Sequence, residues 1–332
     1  MRKILLLVAL LGLTATACQK TPATHKRVIP MFGTVAQVEV LSGDAPVAEK
    51  ALDELEELYI ALDRDWRSFG PGELGRVNAA LRAGQRARLS PRLAGLVKRS
   101  LEFRTLTDGL FDPRIGPLVA LWGFDDMAHA TPVRPPDAGS VSALRARAIG
   151  AADVHLEADA VWSDGPLSLD LNGLAEGAAL AAGAALLRSR GITAALIDTG
   201  GDLIAVGSHG NRPWRVGVRD PRGPGVLGTA ELQAGETIAS SGGYEHRFEA
   251  DGQAYSHILD PRTGSPARGA AGATVIARDA ELADAAATAF VVAGPDRFTG
   301  IADRMGIDTA LLVAEDGRVL MTERMRERLQ RQ

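Results

Sequence analysis

Leu169-Asp170-Leu171-Asn172-Gly173-Leu174-Ala175-Glu176-Gly177 reads as a strand ending in an acid, followed by a glycine-containing turn that opens a helix. The helix is made of small residues, runs from Gly173 to Arg190, and is ended by Gly191. The next stretch decides the fold class. Ala194 to Ile197 and Leu203 to Val206 are two strands flanking Asp198-Thr199-Gly200-Gly201-Asp202, where paired glycines permit positive φ and a close backbone approach. Helices and strands are mixed without a strict βαβ rhythm, which predicts an α+β fold over a doubly wound parallel sheet.

Working outward toward the N-terminus, Val35 to Val40 alternates as a strand. Val47 to Asp63 has helical periodicity, with Ala51, Leu55, Leu58 and Leu62 on one face. Pro91 to Thr107 is a second amphipathic helix with proline near its start. Residues 124–140 read as loop, and Val154 to Trp162 as one strand. Toward the C-terminus, Trp214 to Val218 and Thr237 to Ser240 are strands, Ala283 to Ala293 a helix, and Ala310 to Ala314 a strand. A charged surface helix is expected after Met321.

The chain has 332 residues, 46% hydrophobic and 23% charged, which suits a globular protein with a large core. A net charge of -4 gives no basic surface for nucleic acid. Met1-Arg2-Lys3, an apolar run from Ile4 to Leu13, and small residues before Cys18 have the order of a secretory signal peptide over residues 1–17. Cys18 is the sole cysteine, so an intrachain disulfide is excluded. Its position resembles that of the acylated cysteine of a bacterial lipoprotein. The expectation is lipidation at Cys18, a flexible tether through residue 29, one domain over 30–325, and a location on the periplasmic side of a bacterial membrane.

Five stretches carry more specific chemistry than a scaffold needs. Thr107-Asp108-Gly109-Leu110-Phe111-Asp112-Pro113, continuing to Phe124, combines turn residues with aromatics that could line a flat ring, or caps a helix and locks a turn. The helix opening at Gly173 offers free N–H groups to phosphate, while Asp170 or Asn172 reads equally as an N-cap. The Gly200-Gly201 turn is either a ligand-approach loop or a plain hairpin. Tyr255-Ser256-His257-Ile258-Leu259-Asp260-Pro261 places a histidine, the commonest acid–base group near neutral pH, beside a Pro-locked turn. The other histidines, His246 among them, read as surface or loop. Asp284 and Thr288 lie on one helix face with only alanines between, two hard oxygens suited to Mg²⁺, or a helix-start acid and a back-bonded threonine. No Cys/His cluster suggests zinc, and no Gly-x-Ser-x-Gly elbow suggests a hydrolase.

In this order, GLFDPRIGPLVALWGF, LDLNGLAEG, TGGD, HILDPRTG and ADAAAT resemble the ApbE family of FAD:protein FMN transferases, from about Met31 to Gly294. The resemblance implies a single α+β domain with a deep FAD cleft. It implies Mg²⁺ held by Asp284, Thr288 and the Gly173 carbonyl. FAD contacts would come from Phe32, Phe69, Leu110, Phe111, Asp112, Asp170, Glu176, His257 and Ile258, with His257 as the catalytic proton-transfer group. The activity implied is transfer of FMN from FAD to a Ser/Thr hydroxyl of an acceptor protein, releasing AMP. The acceptors would be subunits of membrane redox complexes with a Ser/Thr-Gly-Ala-Ser/Thr type motif. Departures from the family pattern are Phe32, where Met is frequent; Phe69, often Tyr; Glu176, often Lys; and Ala182, commonly an acid. Competing expectations are an FAD pyrophosphatase and a non-enzymatic FAD-binding lipoprotein.

Overall fold

The computed structural model describes residues 23–125 and 134–331. The signal peptide and Cys18 expectations lie outside the described residues. The chain begins with a hairpin, β1 (Ala23–Met31) and β2 (Thr34–Ser42), followed by helices α1 (Ala45–Trp66) and α2 (Glu73–Arg82). β3 (Ala87–Arg88), α3 (Pro91–Leu106), a 3-10 turn (Pro113–Ile115), α4 (Gly116–Leu121) and α5 (Ala138–Ala148) come next. After β4 (Val154–Glu157) and β5 (Ala160–Ser163) the chain enters α6 (Asn172–Ser189), β6 (Ala195–Thr199) and β7 (Asp202–Val206). Then come β8 (Trp214–Arg219), β9 (Val226–Leu232), β10 (Thr237–Gly242), β11 (Arg247–Ala250), β12 (Gln253–Ser256), β13 (Leu259–Asp260) and β14 (Ser265–Pro266). β15 (Ala270–Ala277), α7 (Ala280–Met305), β16 (Ala310–Ala314), β17 (Val319–Met321) and α8 (Glu323–Arg328) complete it.

One eight-stranded sheet organises the molecule, in the order β1-β2-β6-β7-β10-β15-β16-β17. Neighbouring strands are antiparallel. Side chains alternate between two cores, as a pleated strand requires. Ala239, Val275 and Leu312 join the core built with α1, α6 and α7. Ile238, Ile276 and Leu311 point the other way, onto β8, β9 and Met325 of α8. Coverage of both faces explains why every residue of β16 is buried. A smaller apolar cluster of Leu118, Trp122, Phe124, Val141 and Leu259 forms beside Phe69.

The α+β expectation is met, with four local corrections. Residues 23–29 are not tether: they pair in register with β2, from Ala23 with Ser42 to Ile29 with Ala36. The alternation from Val154 to Trp162 is a hairpin, not one strand, because the chain turns at Ala158, where φ is 52°. The helix expected to stop at Ala293 resumes beyond a break. Gly294 takes φ 67°, and Pro295 then sits where a restarted helix tolerates proline. Finally, the segment before α6, expected as a strand, joins no ladder. Leu169 N–H donates to the Asn78 side chain and Asp170 N–H to the Pro113 carbonyl.

Candidate active site at the α6–α7 crossing

Small residues let α6 and α7 meet closely. A Cβ on Gly177 would overlap the Ala280 carbonyl, and one on Gly173 would lie 3.2 Å from both Thr288 Oγ1 and Phe111 Cε2. At this crossing the Gly177 N–H donates to Asp284 Oδ2 at 2.9 Å. One turn on, Thr288 Oγ1 pairs with Ser241 Oγ of β10 at 3.1 Å. Gly173 has φ -73° and ψ 17°, so α6 begins with an irregular turn. The three expected metal ligands, Gly173, Asp284 and Thr288, are thus brought together.

The charges of four carboxylates, Glu176, Asp202, Glu245 and Asp284, act on one another here without converging on a single point. Burial is the largest cause raising each one's pKa. Asp284 and Glu245 are each pushed up to about 7. Glu176 and Asp202 are raised well above the usual carboxylate range, with Asp284's charge adding to burial. Asp202 accepts the Ser240 N–H at 2.8 Å. Among the described residues none of the four forms a salt bridge; Asp202 and Asp284 are buried, whereas Glu245 is exposed and the Arg219 charge acts on it. No three His, Cys, Asp or Glu among the described residues converge as a metal cluster. One carboxylate with neutral oxygens matches the few protein ligands that Mg²⁺ takes when water and phosphate supply the rest.

The expected flavin contacts fall into separate structural settings. Phe32 has φ 48° at the β1–β2 turn, donates its N–H to Asp63 Oδ1 at 2.7 Å, and lies parallel to Trp66 with centroids 6.4 Å apart. Leu110 and Phe111 are buried, Phe111 edge-on to Phe103 and against Gly173. Phe69 packs with the Trp122 and Phe124 cluster. Asp112 is buried and engaged: Arg114 grips it through Nε at 2.9 Å and Nη2 at 2.6 Å, and Arg104 Nε adds 3.3 Å. Asp170 accepts the Asn172 N–H at 3.0 Å, and burial raises its pKa.

His257 is half-buried, and Ile258 is buried beside it. The His257 Nδ1 lies 3.1 Å from the His246 carbonyl, and the two rings meet edge to face at 5.3 Å. Burial, then the neighbouring His246, push the His257 pKa down to about 4. His246 is exposed in the bend before β11, as expected of a surface residue, and it meets the His257 ring through its backbone carbonyl. Glu245, Asp202, Ser241 and Asn78 were also given no role by sequence reasoning. Asp202 lies inside the Asp198-Thr199-Gly200-Gly201-Asp202 stretch, which was the available signal.

Fold and site define an α+β protein with a buried carboxylate at a close crossing of two helices. The ApbE family model matches residues 32–311. The FAD:protein FMN transferase of Rhodobacter capsulatus is 39% identical over 305 residues, covering 90% of this chain and 57% of that protein. The chain therefore spans little more than half of that relative's length. The FAD:protein FMN transferase of Klebsiella pneumoniae is 31% identical over 325 residues, covering 93% and 90%. Among solved structures, the ApbE protein of Thermotoga maritima superposes with a TM-score of 0.84 at 29% identity, covering 93% of this chain and 100% of that one. The flavin transferase ApbE of Vibrio cholerae gives 0.81 at 26%, with the same coverage. The chain belongs to the ApbE family.

Proposed function

We propose that this protein is an FAD:protein FMN transferase that cleaves FAD with Mg²⁺ and joins FMN to a Ser or Thr hydroxyl of an acceptor protein. The observation that carries this reading is the juxtaposition of Gly173, Asp284 and Thr288 at the α6–α7 crossing, in a chain whose relatives bear that name. The residues present fit the metal. The Asp284 carboxylate is buried without a cation, and its neighbours are a hydroxyl and a backbone turn, all hard oxygens. A bound Mg²⁺ would offset charge on the FAD pyrophosphate.

The chain's own residues supply the remainder. The P–O bond between the FMN phosphorus and the AMP oxygen breaks, and a bond from the acceptor hydroxyl oxygen to that phosphorus forms. AMP leaves with the bonding pair. The hydroxyl proton goes to His257 Nε2. A carbonyl only accepts, so the His246 carbonyl fixes the proton on His257 Nδ1 and leaves the Nε2 lone pair open. With its pKa near 4 the imidazole stays neutral at physiological pH. The start of α6 orients phosphate oxygens through its partial positive charge, whereas the Gly201 N–H is taken by Asp198 Oδ1 at 2.9 Å. Phe32, Phe69, Leu110, Phe111, Asp170, Glu176 and Ile258 hold FAD. The acceptor carries a Ser/Thr-Gly-Ala-Ser/Thr segment in a membrane redox complex, and the lipid on Cys18 keeps the enzyme at the periplasmic membrane face.

AMP release tests the metal and base assignments. Asp284→Ala and EDTA should each abolish it. His257→Ala should lower transfer roughly 100- to 10,000-fold while FAD binding persists. FAD cleavage indifferent to EDTA and to Asp284→Ala would reject the proposed chemistry.

A further inference from the structure

A cavity of about 310 Å³ lies on the sheet face opposite α6 and α7. Leu196 and Ile238 form its floor, Arg215 and Gly217 of β8 its wall, and Gly201 and Glu245 its mouth. The charge of Asp284 also acts on Glu245. The sheet parts at this place. β7 and β10 pair only through Ile204 with Thr237 and Leu203 with Ile238. Beyond that point the Ser240 N–H reaches the Asp202 side chain instead of the β7 backbone. Ser240 lines the cavity, and the next residue, Ser241, bonds Thr288.

The wall formed by β8 is an open strand edge. Thr229 of β9 spends both its N–H and its carbonyl on Gln330. It therefore turns both groups away from its partner Gly217 in the β8–β9 ladder. In an antiparallel ladder hydrogen-bonded and non-bonded pairs alternate, so Gly217 and Arg215 point their own N–H and carbonyl groups out of β8 on its other side. No third strand joins this hairpin among the described residues. Gly217 brings no side chain to obstruct the approach. The Arg215 guanidinium donates only to Thr229 Oγ1 and has no ion-pair partner among the described residues.

We propose that the acceptor protein docks here, as an extended segment of small residues that adds to the free edge of β8. This rests on the transferase reading above. The segment pairs with the backbone of Arg215 and Gly217, as peptides do when they extend a sheet. The cavity is near the lower end of ligand-pocket volumes, which limits it to small side chains. An acidic residue flanking the hydroxyl meets Arg215. From this position the hydroxyl faces the parting between Asp202 and Ser240, toward the metal side of the sheet.

The test uses the wild-type protein with FAD, Mg²⁺ and a carrier protein bearing a terminal Ser-Gly-Ala-Thr segment flanked by aspartates. A second carrier has lysine flanks. Gly217→Pro removes the edge N–H, and Gly217→Ala adds a Cβ but keeps that N–H. Arg215→Glu reverses the charge. Gly217→Pro should raise the acceptor KM about tenfold over Gly217→Ala, and Arg215→Glu should do so for the aspartate-flanked carrier and favour the lysine-flanked one. Cleavage of FAD by water, measured without acceptor, should stay at the wild-type rate in all three variants. Wild-type labelling with unchanged acceptor KM in Gly217→Pro and Arg215→Glu overturns the docking site alone. Wild-type protein that labels neither carrier overturns the transferase reading beneath it.

Discussion

Asn78 joins two segments that share no strand ladder. Its Nδ2 donates to the Ser68 carbonyl at 2.9 Å and the Leu169 carbonyl at 2.8 Å, and its Oδ1 accepts the Leu169 N–H at 2.7 Å. The residues beside these anchors are Phe69 and Asp170, both expected to meet FAD. An Asn78→Asp side chain cannot donate, so two buried carbonyls would lose their partners. The expected loss is roughly 2–5 kcal/mol, read from the urea midpoint, with weaker FAD binding. An unchanged midpoint and affinity would remove Asn78 from this role. The sequence could not reveal it, because one asparagine inside α2 carries no trace of a partner 91 positions away. Asp170 was partly legible. Expected as a candidate helix N-cap, it leaves that position to Leu171 and accepts the Asn172 N–H from one residue earlier. His246 is exposed, as expected, but its contact with His257 was not legible because it comes from a backbone carbonyl, which any residue type supplies.

The α6–α7 crossing would hold the proposed metal, and its glycines differ in kind from those elsewhere. In an exposed helix, Gly→Ala gains up to about 1 kcal/mol. Gly95 of α3 is exposed with nothing within 4 Å of an added Cβ, so Gly95→Ala should show that gain in thermal unfolding. At Gly177 the new Cβ would meet the Ala280 carbonyl and, at 2.9 Å, the Asp284 Cβ. Overpacking costs about 1–3 kcal/mol and outweighs the propensity gain. Gly177→Ala should therefore destabilise the protein and weaken Mg²⁺ binding by calorimetry; a stabilised variant would contradict the crossing. The alanines around Asp284 are packed against α6, where an added Cβ on Gly177 would meet the Ala280 carbonyl. The far half of α7 was not legible, because Gly294-Pro295 is a stop signal that this fold uses as a kink.

Across the whole molecule, buried charge dictates how stability follows pH. Glu176, Asp202, Glu245 and Asp284 have raised pKa values, so between the ordinary carboxylate range and about 7 the metal-free folded state binds more protons than the unfolded chain. Their contribution to stability is fully present at low pH and declines as pH rises through that window. His246 and His257, with lowered values, act in the opposite direction, but two histidines face four carboxylates. Without metal, melting temperature should fall from about pH 5 to about pH 7.5, and added Mg²⁺ should restore more at the higher pH. A flat or rising profile would contradict this balance. At this scale the α+β class was legible from the helix–hairpin order after Leu169. The strand order was not: β2 pairs with β6 more than 150 positions later through backbone groups that no side-chain pattern marks. The most direct test of the central claim is the intact mass of an acceptor carrying a Ser-Gly-Ala-Thr segment after incubation with this protein, FAD and Mg²⁺. The account predicts a gain of one FMN, absent with EDTA or Asp284→Ala, with AMP released in equal amount. An acceptor of unchanged mass while FAD remains bound and intact would contradict it.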